Sequence, residues 1–187
     1  GLGDLYEKGF IEEIGLSNTG PKRLNFLYQK LKERGIKIHS IQMQFSLLTQ
    51  PSLEEKKIKN ICNEHNIEYL AYSPLALGVL TIPPNKSPQP STLLRKKLFE
   101  RMLPKTNELR TLLTNIGKKY SASQAQVALN WVRSHEAKPI VGIRNPFQAK
   151  DAISALSWSL TKKEKESLDC YRNKCLTNMP ENPFISP

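Results

Sequence analysis

The sequence predicts an α/β fold built on parallel strands, and three observations carry that prediction. Short apolar runs alternate with segments of helical periodicity along the chain. Most of the helical segments open on a recognisable start signal, either a proline or a hydroxyl residue followed three positions later by Glu or Gln. The 187 residues, 39% hydrophobic and 24% charged, suffice for one domain with a real core.

Taken in order, residues 11–16 read as the first strand. Pro21 opens a helix over 21–34, in which Leu24, Leu27, Tyr28 and Leu31 recur at helical spacing before Gly35 can end it. A second strand is expected over 36–43. Ser52 and Glu55 form a capping box ahead of a helix through Ile58, Ile61 and Cys62, and the third strand spans 67–72. Pro83, Pro84, Pro88 and Pro90 with Asn85, Ser87 and Ser91 interrupt the pattern. The stretch 81–104 is therefore read as a long proline-rich loop, either a lid over a site or a linker. Helix resumes from about residue 105, and a Ser121/Gln124 box precedes Ala125, Val127, Ala128, Trp131 and Val132. Residues 139–143 form the fourth strand, a helix follows from Pro146 to about Ala155, and Thr161 with Glu164 caps a last one. Residues 173–187, with Pro180, Pro183 and Pro187, are expected to be an irregular tail.

Composition narrows the function classes. No run of 18 apolar residues exists, so no membrane span is expected. No basic stretch leads into an apolar segment at the N-terminus, so no secretory leader is expected either. Gly1 stands where a methionine would, and Leu2, Leu5 and Phe10 resemble the end of a helix, as though the chain starts inside a larger unit. Cys62, Cys170 and Cys175 have no metal-ligand spacing and no even pairing, which suits free thiols in a reducing, cytoplasmic setting. His39, His65 and His135 are scattered and read as structural or exposed. The net charge of +11 is spread over outer helix faces without interleaved aromatics, so a solvated surface is favoured over nucleic acid. Such a field also favours an anionic ligand.

Strands alternating with helices imply right-handed crossovers and a parallel sheet. Four such units are half of a TIM (β/α)8 barrel, in which ligands bind at the C-terminal ends of the strands. Those ends carry the informative residues. Ser17 and Asn18 close the first run, Gln42 with Phe45 and Ser46 the second, and Tyr72-Ser73-Pro74-Leu75 the third. A flat ring beside hydroxyls and strand-end amides suits a nucleotide cofactor, although Tyr-Ser-Pro is also an ordinary strand exit. Gly142-Ile143-Arg144-Asn145-Pro146 then offers backbone amides, a helix N-terminus and a guanidinium to an anion. A plain βα turn with a surface arginine fits that segment as well.

Together these segments resemble the C-terminal half of the aldo-keto reductase family. The matching pieces run in order from Gly9 and Ile14-Gly15-Leu16-Ser17-Asn18, through Ala71-Tyr72-Ser73-Pro74-Leu75 and Ala128-Leu129-Asn130-Trp131, to Pro139-Ile140-Val141-Gly142-Ile143-Arg144-Asn145 with Gln148. The resemblance covers residues 1–172 and implies NADPH as cofactor. It implies that Ser17, Asn18 and Gln42 hold the nicotinamide carboxamide and that Tyr72 stacks on the ring. By the same resemblance, Ser73, Leu75 and Leu77 follow the pyrophosphate, Arg144 and Gln148 meet the adenosine 2′-phosphate, and Asp151 lies near the adenine, with Pro74 and Gly142 also expected in the cofactor site.

The sequence departs from the family in three ways. Ala152 stands where an asparagine is frequent, and Thr81-Ile82-Pro83 replaces a frequent Gly-Lys-Tyr, leaving Lys86 as a candidate for the displaced lysine. The family's catalytic Asp, Tyr, Lys and His lie on its first four strands, ahead of the matched region, and Tyr69, Tyr120 and His135 lack their motif context. The resemblance thus implies the cofactor-binding half of an enzyme that reduces aldehydes or ketones, or a non-catalytic NADP(H)-binding subunit. Either way a half-barrel with two open edges calls for a missing N-terminal half or a second copy.

Overall fold

The first strand forms where its partner begins: Ile14 pairs with Ile38, and the pairing runs on to Ser17 with Gln42. The computed structural model describes residues 1–88, 92–174 and 177–180. Pro90, Ser91, Cys175, Pro183 and Pro187 lie outside the described residues. A short helix α1 (Leu2–Glu7) precedes β1 (Ile14–Ser17), α2 (Pro21–Lys32), β2 (Ile38–Gln44), α3 (Leu53–His65) and β3 (Glu68–Tyr72). After β3 come a 3-10 turn (Ala76–Thr81), α4 (Leu93–Met102), α5 (Asn107–Lys119), α6 (Gln124–Arg133), β4 (Ala137–Ile140), α7 (Pro146–Ser154) and α8 (Lys162–Lys174). The four strands are parallel and lie in chain order, β1-β2-β3-β4. That is the arrangement expected of consecutive units of a (β/α)8 barrel.

Alternation along the strands sorts their side chains onto two faces. Ile41, Met43, Tyr69 and Ala71 are buried in one cluster with Ile58 and Ile61 of α3, Leu113 of α5 and Trp131 of α6. Ser40, Gln42, Gln44, Leu70 and Tyr72, on the other face, are only half-buried. At its lower end, Glu68 pairs with Lys138 across β3 and β4. Behind the sheet, Phe45 stacks on Trp131 with ring centroids 5.0 Å apart. Arg172 of α8 lies over Phe45 and Trp131 and forms an ion pair with Glu55.

The structure amends the sequence reading at four places. The 81–104 stretch is not one loop, because α4 forms within it. Leu98, Phe99 and Met102 are buried at helical spacing, and their packing outweighs the prolines upstream. The fourth strand spans Ala137–Ile140 rather than 139–143. Its last pair is Ile140 with Tyr72, and β3 offers no partner beyond that point because Ser73 turns into the left-handed region at φ 52°. At α6 the cap is Ser123, whose hydroxyl accepts from the Gln126 N–H at 3.1 Å. Ser121 instead takes a left-handed conformation, and the Gln124 side chain donates to the Arg110 carbonyl at 2.8 Å. At α3, Ser52 caps as expected, but the Glu55 carboxylate turns away to Arg172. Of the boxes expected from the sequence, Thr161 and Glu164 make the full reciprocal pair, at 3.0 and 3.3 Å.

Candidate cofactor site at the strand ends

β1 ends at Ser17 and β3 at Tyr72, and Gln42 lies two residues before the end of β2 between them. Ser17 pairs with Gln42, and Gln44 pairs with Tyr72. The Asn18 N–H donates to the Gln42 carbonyl at 2.9 Å, one residue past the end of β1. Asn18 holds φ at 51°, in the left-handed region where asparagine is tolerated better than most residues. The Tyr72 hydroxyl donates to Asn18 Oδ1 at 2.9 Å, and Asn18 Nδ2 donates to Ser17 Oγ at 3.3 Å. The three residues expected to grip a carboxamide therefore sit with the expected stacking ring in one connected group.

Beyond β3 the backbone is strained. Ser73, Ala76 and Leu77 all have φ between 50° and 54°, and Gly78 follows at 97°. Left-handed non-glycine residues cost roughly 1–3 kcal/mol each and concentrate at ligand clamps and switches. This strained turn forms one wall of a cavity of about 1340 Å³. Of the residues expected to bind cofactor, Ser73, Pro74, Leu75, Leu77, Gly142, Arg144, Gln148 and Asp151 line it. Ser17, Asn18, Gln42 and Tyr72 do not line it; they lie at or near the strand ends beside it.

The far wall is the start of α7. The Gln148 N–H is capped by Asn145 Oδ1 at 2.9 Å, and Gln148 Oε1 accepts from the Arg144 N–H at 2.9 Å. Gln148 is thus engaged in shaping the turn that presents Arg144. Asp151 is engaged as well: it accepts from Ser123 Oγ at 2.8 Å and from Gln126 Nε2 at 2.7 Å. Its carboxylate ties α7 to the start of α6.

Sequence reasoning missed two cations of the cavity. Arg95 of α4 reaches the Leu77 carbonyl with Nε at 3.1 Å and Nη2 at 2.9 Å, holding α4 against the strained turn. Lys118 of α5 also lines the cavity, whereas Lys86 is exposed and does not. Burial, and then repulsion from the Arg144 guanidinium, lower the pKa of Arg95. Two guanidiniums that repel one another across a cavity favour an anion between them. Reading α4 as a helix from Leu98, Phe99 and Met102 would have placed Arg95 on its opening turn.

Tyr69, Tyr120 and His135 are engaged elsewhere. Tyr69 is buried behind the sheet, and burial raises its pKa. Tyr120 donates to Glu164 at 2.8 Å, and His135 shares Asp169 with the Trp131 indole, each at 2.8 Å.

Comparison with known proteins places the chain in a family. The profile of the aldo/keto reductase family matches residues 1–172. The chloroplastic pyridoxal reductase of Arabidopsis thaliana is 39% identical over 184 residues, which are 98% of this chain and 50% of that protein. A putative aryl-alcohol dehydrogenase of Saccharomyces cerevisiae is 26% identical over 90% of this chain and 50% of its own length. The glycerol dehydrogenase of Gluconobacter oxydans superposes with a TM-score of 0.77 at 25% identity, over the whole chain and 56% of that structure. The chain spans about half the length of these relatives. Parallel strands in barrel order, the amide and hydroxyl groups at their ends, and a family match over nearly the whole length lead to one conclusion: this chain belongs to the aldo-keto reductase family.

Proposed function

We propose that this chain is the NADPH-binding half of an oxidoreductase that reduces an aldehyde or ketone to an alcohol. The observation that carries the reading is the continuity of the site. The Tyr72-Asn18-Ser17 group is followed directly along the chain by Ser73, which lines a cavity also lined by Arg95, Lys118 and Arg144. An elongated dinucleotide with an uncharged amide at one end and phosphates at the other fits that order. Asn18 and Gln42 would hold the carboxamide, Tyr72 would stack on the nicotinamide, and Ser73 to Leu77 would follow the pyrophosphate. Arg144, with Arg95 opposite, would meet the adenosine 2′-phosphate. Gln148 and Asp151 contribute by fixing the turn and helix around that end.

When bound, NADPH supplies the hydride. The residues of this chain hold the ring in one plane and one orientation, which is how an enzyme converts binding into a correctly aimed transfer. Proton delivery to the carbonyl oxygen belongs in this reading to a separate barrel half, since no tyrosine or histidine lines the described cavity. The Arabidopsis relative acts on pyridoxal by name, and a pyridoxal-like aldehyde is the substrate we would test first. Free Cys62 and Cys170 support a reducing compartment, the cytoplasm or the plastid that this relative's name specifies. Among the described residues, no helix is long and apolar enough to cross a membrane.

A second reading rests on the same cavity. Without a tyrosine or histidine in its wall, the chain could bind NADP(H) as a regulatory subunit and catalyse nothing. Calorimetric titration with NADPH tests the shared claim. Tyr72→Ala should weaken binding by about 1–3 kcal/mol, the usual worth of a base stacked on an aromatic ring. Unchanged affinity removes Tyr72 from the site. NADPH consumption with pyridoxal, assayed with the other barrel half supplied, separates the enzyme from the subunit.

A further inference from the structure

Tyr72 does something that a stacking ring need not do. Its hydroxyl reaches Asn18, on the far side of β2, and donates to Oδ1 at 2.9 Å. Parallel strands lie about 4.8 Å apart, so β1 and β3 are separated by roughly 10 Å. The phenol, the Asn18 side chain and the hydrogen bond between them together bridge that gap, and the phenol carries a donor at its tip. Phenylalanine has the length without the donor.

Asn18 benefits from such a restraint. It lies just beyond β1, half-buried, with its left-handed backbone fixing the direction of Cβ but not the twist of the amide. The last torsion of asparagine is broad and soft. An amide that must meet a carboxamide in one plane loses affinity whenever it rotates away, and restraint before binding removes that loss.

We infer that the Tyr72 hydroxyl is a positioning group for the cofactor: by its hydrogen bond to Asn18 it holds the side-chain amide in the plane that meets the nicotinamide carboxamide. This rests on the NADPH reading above. The stacking face and the amide clamp then form one rigid unit across three strands. Ser17 Oγ, which accepts from Asn18 Nδ2 at 3.3 Å, completes it.

The test is Tyr72→Phe, which keeps the ring and removes the donor. Titration of the full chain should show NADPH and nicotinamide mononucleotide binding weakened roughly three- to tenfold, the worth of one hydrogen bond. Binding of adenosine 2′,5′-bisphosphate, which has no carboxamide, should be unchanged. Adding Tyr72→Phe to Asn18→Ala should cause no further loss, because the amide to be positioned is already gone. Unchanged NADPH affinity in Tyr72→Phe overturns the inference. So do equal losses for both ligand types, which would mark the bond as a staple between strands, or additive effects of the two substitutions. If the unsubstituted protein binds neither ligand, the NADPH reading itself fails and the inference falls with it.

Discussion

Arg144 and Arg95 show how a side chain's meaning depends on its neighbours. Both are single positive charges in a chain with 28 basic residues. What distinguishes them is convergence on one cavity from α4 and from the turn before α7. Arg144 stands on a turn fixed by Gln148 and Asn145, and it is exposed toward the space a 2′-phosphate would fill. Arg144→Gln should therefore weaken NADPH by about 1.5–3 kcal/mol, the range for a hydrogen bond to a charged group, and NADH much less. Titration with both cofactors checks this, and equal losses would mean that Arg144 does not contact the 2′-phosphate. Legibility at this scale followed locality. The placement of Ser17, Asn18 and Tyr72 at the ends of β1 and β3 could be read because a strand end is a local pattern. Arg95 could not, because its role depends on a helix concealed by four nearby prolines. Arg110 was equally hidden. It is a buried guanidinium that donates to the carbonyls of Pro83 and Leu103 at 2.6 and 2.9 Å, and sequence alone suggested only another surface charge.

Among the elements, α8 illustrates how a cap can exceed its usual worth. Glu164 accepts from the Thr161 N–H, from the Tyr120 hydroxyl and from Lys119, so one carboxylate closes α8 and ties it to the end of α5. Burial alone would raise its pKa. The Thr161 N–H, the Tyr120 hydroxyl, Lys119 and the Thr161 hydroxyl outweigh burial and bring it down to about 2. A carboxyl whose folded pKa lies below its unfolded value near 4.3 contributes stability above that value and loses it as pH falls toward 2. Glu164→Ala should destabilise the fold by about 1–3 kcal/mol near neutrality, and the difference from the parent should shrink across that acid window. Denaturant melts at neutral and acid pH measure it; a gap independent of pH would contradict the assignment. Apart from α4, the starts of the helices from α2 onward were readable to within a few residues because capping is local chemistry. The slip from Ser121 to Ser123 arose from Gly117. An added Cβ there would meet the Ala122 carbonyl oxygen at 2.5 Å, so only glycine lets that turn settle against α5. Contacts of that kind are tertiary and leave no periodic trace.

As a whole, the molecule is a sheet with helices behind it and an incompletely buried front. The outer edges of β1 and β4 carry no neighbouring strand among the described residues. Phe147, Ile153 and Leu156 are exposed along α7 and the turn that follows it. Exposed edges and apolar patches of this kind drive association. In the absence of another barrel half, light scattering should return a mass above the 21.3 kDa of one chain. A monodisperse, well-folded monomer would overturn that expectation. The parallel order β1 to β4 was legible from strand-helix alternation, and the half-barrel from the count of its units. A partner for the open edges was not, because an edge records the hydrogen bonds it can make without naming what makes them.

That front face nevertheless constrains its complement. Ser40, Gln42, Gln44 and the Glu68–Lys138 pair put hydrogen-bonding groups where an ordinary sheet interface would be oily. A purely greasy surface pressed against them would strand each amide and hydroxyl at about 1–3 kcal/mol apiece. By that cost, a surface docking on this face would be selected for donors and acceptors of its own rather than for apolar area alone.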